Sequence, residues 1–147
     1  MPVTITPLSV KIDEHEYIRF AALVDGQYVG TVDVKKSGEV ADFRQLFVHS
    51  DHRRKRIASQ LLLEVGTQAT RWGCSRLRAG VSGKNMEAIR FYTTLGFGLL
   101  DMEEDEFILT APADVIHQRH LGALQRYAQK VLETGHRAPS LQPKGAA

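Results

Sequence analysis

The sequence predicts a single α+β domain: a mixed, mostly antiparallel central sheet with helices on its faces and an extra C-terminal helix. Two observations predict it. Apolar residues alternate with a period of two up to His49, then recur every three or four residues from Ile57, so strands give way to helices. Turn residues, Asp25-Gly26 and Ser37-Gly38 among them, divide the first part into hairpins.

In chain order, Val3–Ser9 reads as a short strand, and Pro7 suits it only to a sheet edge because proline cannot donate to a ladder. Tyr17–Val24 and Gln27–Val34 flank Asp25-Gly26, a two-residue hairpin turn that Gly supports through positive φ. Ser37-Gly38-Glu39 turns the chain into Val40–His49. Regular alternation there puts Phe43, Gln45, Phe47 and His49 on one face and Leu46 and Val48 on the other. Ile57, Leu61, Val65, Ala69 and Trp72 form one apolar stripe on a helix that stops at Gly73. Leu77–Val81 reads as a short buried strand. Ala88, Phe91, Tyr92 and Leu95 mark a second amphipathic helix, ended by Gly96. Phe97–Met102 and Glu106–Thr110 form a last hairpin, and a helix follows from Ala113 to Glu133. The expected order is therefore β-β-β-β-α-β-α-β-β-α. The domain is expected to span 1–134, with 135–147 a flexible tail that has little to bury.

A length of 147 residues suits one hydrophobic core, and 43% hydrophobic with 24% charged residues is ordinary for a soluble globular chain. No apolar run reaches the roughly 20 residues of a membrane span. The N-terminus lacks the basic start and apolar stretch of a signal peptide. A lone cysteine, Cys74, cannot form an internal disulfide. A cytoplasmic setting with no membrane partner is expected. The net charge of +2 argues against general nucleic-acid binding, and the histidines lack metal-ligand spacing, so no metal is expected. Charge is uneven, however. Four positive residues crowd into five positions at His52–Arg56, and five negative ones into six at Asp101–Glu106.

The basic cluster lies where the fourth strand meets the long helix. A helix N-terminus presents unpaired N–H groups and about half a positive charge. Arg53, Arg54, Lys55 and Arg56 precede that end, and the small Ala58 and Ser59 leave its backbone approachable. These features suit a phosphate or pyrophosphate group. A solvated cationic loop would have the same composition.

Here the residues carry a resemblance. Arg53-Arg54-Lys55-Arg56-Ile57-Ala58, after an apolar strand, resembles the acetyl-CoA signature of the GNAT superfamily, Gln/Arg-x-x-Gly-x-Gly/Ala, with Arg56 where the family usually has Gly. A second stretch, Asn85 to Phe97, resembles the family's Asn-x-x-Ala-x-x-Phe-Tyr-x-x-x-Gly-Phe helix nearly position for position, and starts 32 residues after Arg53. The resemblance covers about Tyr17 to Thr110.

The resemblance implies acetyl-CoA as cosubstrate and an amine as acceptor, joined by direct attack without an acyl-enzyme. It implies that two neighbouring parallel strands part to admit the pantetheine arm, with backbone at Phe47 and Val48 against it. Amides from Arg54 through Ile57, Ala58 and Ser59 would hold the pyrophosphate, and Asn85 would contact the cofactor or cap its helix. Tyr92 would protonate the departing thiolate. A phenol, with a pKa near 10, can share its proton as the thiolate charge develops. Tyr92 also fits as a plain core aromatic. Asp42 stands where some members carry a catalytic carboxylate, or it is an ordinary polar strand residue; Gln45 and His49 could instead position a water.

Family members usually place two helices between the first and second strands, and Ser9 to Glu16 leaves about eight residues, too few for two helices. The acceptor side should therefore be open. That suits a large acceptor such as a protein lysine or N-terminus, or a pocket completed by the C-terminal helix or by a second subunit of a homodimer. The stripe Ile116, Leu124, Tyr127 and Val131 suits a helix lying over exposed sheet. A GNAT-fold module that grips a partner without catalysis is the alternative reading.

Overall fold

The computed structural model describes residues 2–53 and 56–134. The tail expected at 135–147, like Arg54 and Lys55, lies outside the described residues. The expected elements occur in the expected order. They are β1 (Thr4–Ile12), β2 (His15–Val24), β3 (Gln27–Ser37), β4 (Val40–Val48), a 3₁₀ turn (Ser50–His52), α1 (Ile57–Arg71), β5 (Arg76–Ser82), α2 (Met86–Leu95), β6 (Gly98–Glu103), β7 (Glu106–Pro112) and α3 (Val115–Thr134). The seven strands form one sheet in the order β1-β2-β3-β4-β5-β7-β6, in which only β4 and β5 run parallel. Pro7 sits on an edge strand, where its missing donor costs nothing.

The first connection is tighter than the sequence suggested. β1 and β2 pair all the way to Ile12↔His15 and turn on two residues, Asp13 and Glu14, both at positive φ. A two-residue turn of this kind matches the right-handed twist of the strands it joins. It leaves the sheet with no helical cover from this connection.

All three helices collect on the other face. The α1 stripe buries Ile57, Leu61, Leu62, Val65 and Ala69 against Val32, Val34, Phe43 and Leu77. Each large aliphatic side chain removed from water contributes about 1.5–3 kcal/mol. Gly30 allows the close approach: a Cβ there would stand 2.9 Å from the Phe47 carbonyl oxygen and 3.3 Å from Leu61 Cδ1. α3 packs on α1 and α2 rather than over exposed sheet. Ile116 is buried, but Leu121, Leu124 and Leu132 stay exposed. The opposite face, carrying Arg19, Asp33, Asp42, Arg44 and Arg78, receives no helix among the described residues.

The alternation expected along β4 fails at one point. Gln45 has φ 57°, and Gln45 with Leu46 stands opposite the single residue Val32. This bulge adds one residue and flips the side chains beyond it. Phe43 and Val48 are consequently buried on the helical face, while Phe47 is 53% exposed.

Candidate functional site

The site forms where β4 and β5 part. Val40–Phe43 pair with Arg76–Ala79, and the parallel ladder ends there, so Arg44–Val48 and Gly80–Ser82 leave a gap between them. The bulge at Gln45 bends β4 just past the last pair. Strand edges left without a ladder present backbone N–H and C=O groups ready to bond an extended ligand. Arg53, turning back from the basic loop, donates through Nε to the Val48 carbonyl oxygen at 3.0 Å.

On the helical side, Tyr92 packs against Phe43, the last β4 residue of the parallel ladder. Asn85 starts α2, its side chain accepting from the Ala88 amide at 3.1 Å, so the resemblance's cap reading of Asn85 is the one seen. A cap of this type is worth about 1 kcal/mol and sets the helix rotation. The Tyr92 ring lies 5.8 Å from Phe43, 5.4 Å from Phe91 and 5.3 Å from Phe97, each at a tilt. Among the described residues its hydroxyl has no hydrogen-bond partner, yet no buried polar side-chain atom lacks one. The oxygen must therefore reach the surface while the ring stays inside. Burial pushes its pKa well above that of an ordinary phenol, because the phenolate would lose hydration.

The open side of the gap is a cleft of about 340 Å³ lined by Tyr17, Asp42, Arg44, Arg78, Glu103 and Glu106, among others. Arg78 binds Asp42 through two hydrogen bonds of 2.6 and 2.7 Å, and this pairing raises the Arg78 pKa. With both oxygens held, Asp42 is poorly placed to take a proton. Arg44 lies 5.4 Å over the Tyr17 ring and donates to its hydroxyl at 3.4 Å. Behind it, the buried Asp33 is held by Arg19 at 2.7 and 3.0 Å.

At the far end of β4, the start of α1 is left uncapped. Arg56 occupies the cap position in the left-handed region, at φ 64° and ψ 16°, with no side-chain hydrogen bond to the helix. The first turn carries no acidic residue, so its amides at Ile57, Ala58 and Ser59 face no competing anion from that turn. Left-handed backbone costs a non-glycine residue about 1–2 kcal/mol.

The structure thus gathers Phe47, Val48, Arg53 and Arg56–Ser59 along one end of β4 and sets Tyr92 and Asp42 on opposite sides of the sheet. Asn85 serves its own helix. Sequence reasoning placed Glu106 at the start of the last strand and gave it no role. The alternation Glu106, Ile108, Thr110 could have placed it on the open face. His49 and Gln45 hold no ordered catalytic contact: His49 Nδ1 accepts from the Asp51 amide at 3.2 Å.

The model of the acetyltransferase (GNAT) family matches residues 2–97. No curated protein sequence matches the chain. Among solved structures, PaiA N-acetyltransferase from Thermoplasma acidophilum, in complex with coenzyme A, superposes with a TM-score of 0.62 at 24% identity, over 64% of this chain and 59% of that one. The chain thus spans under two thirds of that protein's length. A ribosomal-protein alanine N-acetyltransferase from Escherichia coli gives 0.59 at 21% identity, over 66% and 69% of the two chains. A GNAT-family acetyltransferase from Staphylococcus aureus gives 0.61 at 18% identity, over 66% and 68%. These likenesses establish a shared fold.

Proposed function

The chain belongs to the GNAT acetyltransferase family, and on that premise we propose that it transfers the acetyl group of acetyl-CoA to a primary amine. The observation that carries the proposal is the parting of β4 and β5 beside a buried tyrosine whose hydroxyl reaches the surface. The residues fit the cosubstrate in two places. The free edges of β4 and β5 suit the amides of a pantetheine arm, and the uncapped α1 amides with Arg56 and Arg53 suit phosphates. Acetyl-CoA supplies an activated thioester; the chain orients it, excludes water and manages protons.

Tyr92 acts as general acid. Its raised pKa keeps the phenol protonated at neutral pH, so the proton is present when thiolate charge develops near it. Asp42 fixes Arg78 on the acceptor side. The uncovered sheet face admits a large acceptor, which favours a protein N-terminus or lysine over a small amine. No helix among the described residues is long and apolar enough to cross a membrane. A cytoplasmic setting would keep the buried Cys74 thiol reduced.

Calorimetry with acetyl-CoA, followed by mass spectrometry of peptide and small-amine acceptors, tests the reading. Binding accompanied by transfer supports it. Binding without transfer to any amine favours the binding-module alternative, and no binding at millimolar acetyl-CoA removes both.

A further inference from the structure

We propose that Glu106 is the group that takes the proton from the attacking nucleophile, and that Gly80 is a glycine so that Glu106 can do it. This rests on the acetyl-transfer reading above. Gly80 is the first residue of β5 beyond its last pairing with β4, Phe43↔Ala79. A Cβ built there would stand 2.5 Å from Glu106 Oε1 and 2.7 Å from its Cδ. The Glu106 carboxylate therefore lies across the backbone of the neighbouring strand, in space that any other residue at position 80 would fill. The space leads to the gap between β4 and β5.

Three further observations single out Glu106 among the carboxylates of the cleft. Asp42 has both oxygens on Arg78. Glu103 belongs to β6, the outermost strand, whereas β7 lies directly beside β5. Glu106 itself has no ion pair or side-chain hydrogen bond among the described residues, so its oxygens are available. Tyr17, Asp42, Arg44, Arg78 and Glu103 share the cleft with it.

The proton inventory closes with two groups on opposite faces of the sheet. Glu106 removes a proton from the ammonium, freeing the nitrogen lone pair. The nitrogen bonds to the acetyl carbon and the carbon–sulfur bond breaks. The thiolate takes the Tyr92 proton, and the tyrosinate is reprotonated by the proton that the new amide nitrogen sheds. The proton held by Glu106 passes to solvent.

The test compares wild type, Glu106→Gln, Gly80→Ala and the double variant at saturating acetyl-CoA. Glycinamide serves as the amine and water as an alternative nucleophile. Circular dichroism melting checks folding. Glu106→Gln should lower both rates by about 100-fold with acetyl-CoA affinity retained. Gly80→Ala should lower them by about tenfold or more, by displacing the carboxylate, and the double variant should match Glu106→Gln alone. Either single variant at the wild-type rate overturns the proposal. A wild type that binds acetyl-CoA but turns over neither nucleophile, and acetylates none of the peptide and small-amine acceptors, overturns the acetyl-transfer reading itself.

Discussion

Asp42 and Arg78 face each other across the penultimate pair of the β4–β5 ladder, joined by bonds of 2.6 and 2.7 Å one residue before the strands separate. The pair is a staple at the base of the gap. Its side chains are 22% and 39% exposed, so solvent screens it and its stability contribution stays below about 1 kcal/mol. Asp42→Asn should therefore melt within a few degrees of wild type and lose only severalfold in turnover. A loss of about 100-fold or more would identify Asp42 as a base, and steady-state kinetics decides.

Tyr92→Phe removes a hydroxyl that bonds nothing among the described residues while keeping a ring packed on three phenylalanines. Stability at neutral pH should not change, whereas turnover should fall by about 10²–10⁴-fold with acetyl-CoA affinity retained. Equal rates in the two proteins would return Tyr92 to the core.

The same residue governs alkaline stability. Its folded-state pKa is raised by burial, so the unfolded chain ionises first as pH climbs past the usual phenol value of about 10. The associated stability is fully present below that pH and is lost above it. Tyr92→Phe should lose less stability than wild type between neutral pH and pH ~11 in chemical denaturation.

Arg56 joins two effects that substitution separates. Arg56→Gly relieves the left-handed strain at φ 64° but adds unfolded-state freedom, for a net gain of about 0.5–1 kcal/mol in thermal stability. Arg56→Ala keeps the strain and removes the charge. It should leave the melting temperature nearly unchanged and weaken acetyl-CoA about tenfold, corresponding to one charge-assisted hydrogen bond. Isothermal titration with both variants reads the two contributions, and binding of all forms should weaken as salt rises.

The sequence by itself determined the kinds and order of the elements. Hydrophobic period is a local property, and Asp25-Gly26, Gly73 and Gly96 punctuate it with conformations that short-range sterics demand. It also determined the two stretches that carry the family, because the uncapped helix start at Arg56 and the Asn85 cap are each built within a few residues. Tertiary structure decided the rest. The bulge at Gln45 carries no glycine to announce it, and it reversed the faces of Phe47 and Val48 through pairing with Val32, thirteen residues upstream. The turn at Asp13-Glu14 likewise uses two residues without a strong turn signature, and the long β1–β2 pairing imposes it. Insertion of β7 between β5 and β6 brought Glu106 over Gly80 and left the β4–β5 gap beside it. Such contacts join residues far apart in the chain, and only the closed sheet brings them into register.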